Sequence, residues 1–159
     1  MEHINNEKHQ LMVEKAEKCI DVHAKQAIAV SFIPLVSIPI VYGVCAKMIV
    51  KLDKIFGIPT AKGWDSEILQ DVVTGVIAAP ALAIPVLGAG VASAYIKSIG
   101  KNYSQAVASV VSTSATQELS DGTFVKCRVK EELQKIHAKN REKQLERTKD
   151  RQDMRKSIS

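Results

Sequence analysis

Cys19 and His23 stand four residues apart, a spacing that puts a thiol and an imidazole on one helix face, where the pair could share a zinc ion. The remaining ligands would have to come from Cys45, Cys127 or His137, none of which lies at ligand spacing. The plainer reading is a small buried thiol beside a partly buried imidazole. Gly88 and Gly90, with Ala89 between them, resemble part of a glycine loop that presses backbone amides against a pyrophosphate. Such a loop must follow a strand, whereas the residues before this one are alanine-rich and interrupted by prolines, which suits an interhelical turn. Lys47, Lys51 and Lys54 share one helix face, and Lys97 and Lys101 repeat the pattern later. Beside an anionic leaflet each such cation gains about 1 kcal/mol from lipid headgroups. The alternative is a solvated outer helix face.

These lysines border two apolar runs that must position them. No charged residue occurs from Gln26 to Ala46, nor from Val72 to Ile96. About 20 apolar residues cross a hydrocarbon layer about 30 Å thick, but Pro34 and Pro39 interrupt the first run and Pro80 and Pro85 the second. The spacing predicts a helix into Ile33, a turn through PLVSIP, and a second helix from Ile40 to a stop at Gly57. Ile28, Phe32, Ile33, Leu35, Val36, Ile38 and Ile40 then cluster at the first bend. A third helix from about Ser66 and a bend over 84–90 would place Ile77, Leu82, Ile84, Val86 and Leu87 at a second. The expected products are two helical hairpins with aliphatic tips meant for a bilayer.

Helical periodicity also runs through Leu11, Met12, Ala16, Cys19, Ile20, His23, Ala27 and Val30, and again through Val91, Tyr95, Ile99, Tyr103, Val107 and Val110. With 46% hydrophobic and only 4% aromatic residues, the 159-residue chain is predicted to be all-α: a bundle of two proline-bent hairpins over 1–120 and a charged C-terminal helix over 121–159. Asp121 and Gly122 mark the break between them. The net charge of +5 resides in that last segment, where twelve Lys/Arg meet six Asp/Glu between Lys126 and Lys156. Val129, Leu133 and Ile136 form a seam expected to dock about three turns before the helix frays. This tail lacks interleaved aromatics for base stacking, which argues against nucleic acid as a partner. Three unpaired-looking cysteines suit a reducing compartment, and the polar N-terminus has no secretory pattern.

Pro34 to Gly57, with Met48, Leu52, Phe56 and Gly57 after a proline bend, resembles a bacterial helical domain family of undefined role. The likeness continues through Val72 to Gly90 and the segment IKSIGKNYSQA, Ile96 to Ala106. Members of that family occur as inner-membrane proteins and attached to Era-like or dynamin-like GTPase domains. The resemblance implies a membrane-associated or GTPase-partnered accessory module. Family members often carry an acidic residue just after the bend, where this chain has Ile40 and Val41. No GxxxxGK[ST] phosphate loop is present, so any GTPase would be a separate chain.

With no HExxH, no glycine-flanked serine nucleophile and no paired carboxylates in an apolar setting, no enzymatic activity and no cofactor are expected. The expected function is membrane association at a bacterial inner membrane, with cytoplasmic-facing termini: anchoring, remodelling or assembly into a homo-oligomer. Two other readings remain open, a cytoplasmic helical adaptor for a GTPase or similar partner, and a conditional pore-former.

Overall fold

The computed structural model describes residues 2–30, 37–59, 89–114 and 117–158. These form α1 (Glu2–Val30), α2 (Ser37–Phe56), α3 (Ala89–Thr113) and α4 (Gly122–Ile158), with one 3₁₀ turn at Glu118–Ser120. All secondary structure among the described residues is helical. The predicted third helix from Ser66, the loop through Trp64 and most of the second bend lie outside the described residues, as does the turn over 31–36.

Helix α1 packs on both α2 and α3, these two also pack on each other, and α4 docks on α3. Each contributes one apolar stripe at three- and four-residue steps: Ala16, Ile20, Ala24 and Ala27 from α1; Cys45, Met48, Ile49, Leu52 and Phe56 from α2. Ile96, Ile99, Tyr103, Ala106, Val107 and Val110 complete the centre from α3. Leu11, expected on the inner face of α1, is instead 51% exposed, and Ala24 takes its place in the core. The reason is geometric. Three alanines on α1, Ala16, Ala24 and Ala27, keep it close to its neighbours, so the buried stripe centres on them and leaves the bulkier Leu11 on the flank.

Close approach is sharpest where Gly100 of α3 meets Ile20 of α1. A Cβ on Gly100 would lie 2.7 Å from Ile20 Cγ1 and 3.0 Å from Cγ2. Glycine is therefore required there by space.

Helix α2 begins at Ser37, three residues before the expected start at Ile40. Pro39 falls in its first turn, where amide hydrogens have no intrahelical acceptor and a proline removes nothing. The helix ends as its sequence predicts. Gly57 adopts φ +70°, its amide donates to the Lys54 carbonyl at 3.4 Å, and the Ile58 amide donates to the Asp53 carbonyl at 3.0 Å. This paired arrangement ends the helix in a left-handed glycine, with Ile58 folded back into the core.

Asp121 starts α4: its carboxylate accepts from the amides of Thr123 at 2.9 Å and Phe124 at 3.3 Å. Val125, Val129 and Leu133 are buried and Ile136 half-buried, the three docked turns that the seam predicts. The helix itself does not fray there but continues to Ile158, exposed on every described side from residue 138 onward. The Ser109 hydroxyl donates to Glu132 across the α3–α4 contact at 3.3 Å. With only a short connection between them, α4 turns back along α3.

Candidate functional site

Interhelical pairs fix how the helices run past one another. Lys97 of α3 pairs with Asp21 of α1 at 2.9 Å, and Gly100 meets Ile20. Lys51 of α2 lies beside Cys19 of α1, while Lys54 and Ile55 of α2 line one depression with Lys15 and Lys18. Tyr103 of α3 is level with Asp53 of α2. Numbers that rise along α2 and α3 fall along α1, so α2 and α3 run parallel to each other and antiparallel to α1. Val30, Ser37 and Ala89 consequently share one end of the bundle.

Among the described residues that end carries no charge. The last charged residue of α1 before it is Lys25, and the first on α2 and α3 are Lys47 and Lys97. The pairs above put these three lysines within about one helical turn, or about 6 Å, of a common level. All three are exposed. Beyond them α2 extends ten residues to Ser37 and α3 eight to Ala89, about 15 and 12 Å of uncharged helix. Tyr42, 41% exposed, lies on this portion. Among the described residues no helix is long and apolar enough to cross a membrane.

The residues expected to insert are placed unevenly. Ile28 is half-buried near the end of α1, and Ile38 and Ile40 belong to the first turns of α2. Phe32, Ile33, Leu35, Val36, Ile77, Leu82, Ile84, Val86 and Leu87 lie outside the described residues.

Four of the five lysines expected at headgroup height divide into two groups. Lys97 and Lys101 lie on the α3 side of α1, where a hydrogen bond from Lys97 holds the exposed Asp21 carboxyl below its usual range, helped by Lys25 and Lys101. Lys51 and Lys54 lie on the other side of α1, facing Lys15 and Lys18. Lys15 and Lys18 are not among the residues that the sequence analysis singles out. Their signal was present in the sequence: Lys15, Lys18 and Val22, with Leu11, form one stripe at steps of four, three and four residues.

The Cys19–His23 pair is ordered but not arranged for metal or nucleophile chemistry. His23 Nδ1 lies 2.7 Å from the Cys19 carbonyl oxygen, which can only accept, so Nδ1 carries the proton and donates. It cannot then take a proton from the Cys19 thiol, 3.7 Å away. Burial pushes that thiol up, against a smaller opposing effect of Lys51. Among the described residues no three His, Cys, Asp or Glu side chains converge as metal ligands. Cys45 is fully buried and its thiol is pushed up to about 12 by burial, whereas Cys127 is exposed. At pH 8 a maleimide is expected to label Cys127 within minutes and Cys45 only after denaturation, which mass spectrometry of the labelled peptides reads directly.

Asp53 is the one carboxylate between Gln26 and Trp64, and it is fully buried. The Tyr103 hydroxyl donates to its Oδ1 at 2.5 Å, a contact joining α2 to α3 at the core. A buried carboxylate needs such donors, so Tyr103→Phe is expected to lower stability by about 1 to 3 kcal/mol, measured by urea unfolding. Nothing in the sequence pairs these two residues, which stand 50 positions apart. No protein-family model, curated protein or solved structure matches this chain.

Proposed function

We propose that this is a non-enzymatic, membrane-associated protein that seats the charge-free end of its helical bundle in one leaflet of a bilayer. The observation that carries this reading is the convergence of three uncharged helix ends behind the level of Lys25, Lys47 and Lys97. An uncharged depth of about 12 to 15 Å is about half of the 30 Å hydrocarbon layer. It suits one leaflet and stops short of a span. The described parts of the two apolar runs, 26–30 with 37–46 and 89–96, lie at this end. The lysines behind it would then sit among headgroups, and Tyr42 near the interface that tyrosine favours. Entry from one side leaves both termini on that side, and an anionic cytoplasmic leaflet suits the basic α4.

The family resemblance supports a bacterial inner membrane as the site, and assembly with further copies or with a GTPase as the purpose of anchoring. One observation favours a second reading, a helical adaptor: the four described helices already share a continuous buried core without any lipid. Fractionation separates the two. Under the favoured reading the protein stays with membranes through high salt and alkaline carbonate and leaves only with detergent. Recovery in the detergent-free supernatant would select the adaptor.

A further inference from the structure

Lys15 and Lys18 of α1 and Lys51 and Lys54 of α2 rim one depression of about 370 Å³, floored by Cys19, Val22, His23 and Ile55. Some basic side chains elsewhere on the surface meet carboxylates: Lys97 with Asp21, Arg128 with Glu131, Lys135 with Glu132. Here only Lys18 does, with Glu14 at 2.6 Å. Among the described residues Lys15, Lys51 and Lys54 have no carboxylate within ion-pair distance. The lining is mainly apolar, and among the described residues four lysines from two helices border it against one carboxylate, an excess of positive charge. An anion of at least two charges offsets that excess.

We propose that this α1–α2 groove binds a phosphate-bearing anionic amphiphile, the lysines holding a phosphate monoester and the apolar floor its first aliphatic carbons. The floor decides between ligand types. Val22 is 50% exposed although it borders four cations, so the groove offers hydrocarbon contact beside charge, which inorganic phosphate cannot use. Lysine ammoniums are compact point charges and suit a phosphate dianion without needing the forked geometry of arginine. Position supplies the source. Lys51 is one turn, about 6 Å, behind Lys47, which is the depth of a headgroup layer behind the hydrocarbon edge. The ligand is therefore a phosphatidic-acid-like lipid. This identification rests on the membrane reading, whereas the groove's affinity for the isolated molecule does not.

The test uses the purified full chain and water-soluble dihexanoyl phosphatidic acid below its micellar concentration, followed by calorimetry. Saturable binding is expected, weakened about tenfold or more by K51Q/K54Q and unchanged by R128Q/K135Q, which removes the same charge from α4. The equally short phosphatidylcholine and inorganic phosphate are expected to bind at least tenfold more weakly. Absence of binding, equal binding by the K51Q/K54Q protein, or equal affinity for either comparison ligand would overturn the proposal. Circular dichroism of K51Q/K54Q, expected to match the parent chain, keeps a folding defect from imitating the result. Loss of carbonate-resistant membrane retention with soluble-lipid binding intact would count against leaflet insertion and leave the groove standing.

Discussion

The variant carrying Ile33→Asp and Leu35→Asp is expected to leave bilayers while keeping its helical content. Each aspartate in the hydrocarbon region costs about 2.5 to 3.5 kcal/mol, so two would lower partitioning by about four orders of magnitude. Helicity should persist because the core that holds the described helices, from Ala16 to Leu133, contains neither residue. Liposome flotation reads the first effect and circular dichroism the second. If the helical signal collapsed in solution without lipid, these side chains would be serving a protein interior, and the adaptor reading would gain.

The largest effect on stability is expected at Gly100. Gly100→Val places a branched Cβ within 2.7 to 3.1 Å of three carbons of Ile20, two of them attached directly to its Cβ and unable to swing aside. Overpacking of this kind costs about 3 kcal/mol, partly offset by the better helix propensity of valine over glycine. The melting temperature should fall by about 6 to 12 °C for a chain of this length. Ile20→Ala opens space on the facing helix, so the double variant should recover part of the loss. Non-additivity between positions 20 and 100 is the informative result, because it verifies the α1–α3 register from which the level of the lysines follows. Strictly additive losses would show that the two residues do not touch.

Periodicity alone located most of what is local. The α2 stripe of Cys45, Met48, Ile49, Leu52 and Phe56 follows from a 3.6-residue repeat, and Gly57 as its stop follows from the conformational freedom of glycine. The Asp121–Gly122 break was equally legible, since an aspartate before an apolar seam is a helix start. Pro39 displaces the expected start of α2 by three residues, because a proline closes one helix and opens the next with the same sequence signal. What escaped was everything that depends on pairing distant segments. Asp53 and Tyr103 are 50 residues apart, and nothing in either neighbourhood says that a core tyrosine will turn its hydroxyl to a core aspartate. Lys51 and Lys97 looked equivalent as members of similar stripes, yet packing sent one to the groove beside Cys19 and the other to Asp21 on the opposite flank of α1. A helical repeat gives the face of each helix but not the neighbour that face will meet.

Depth is the quantity that tests leaflet insertion most directly. A spin label placed singly at position 42, 47 or 51 of a cysteine-free chain, bound to anionic vesicles, reports its depth from relative accessibility to oxygen and to a water-soluble nickel complex. Insertion of the charge-free end predicts position 42 within the hydrocarbon edge, 47 at the boundary and 51 about 6 Å or more outside it, among headgroups. Equal exposure of all three positions to the nickel complex, with the protein demonstrably on the vesicles, would contradict it.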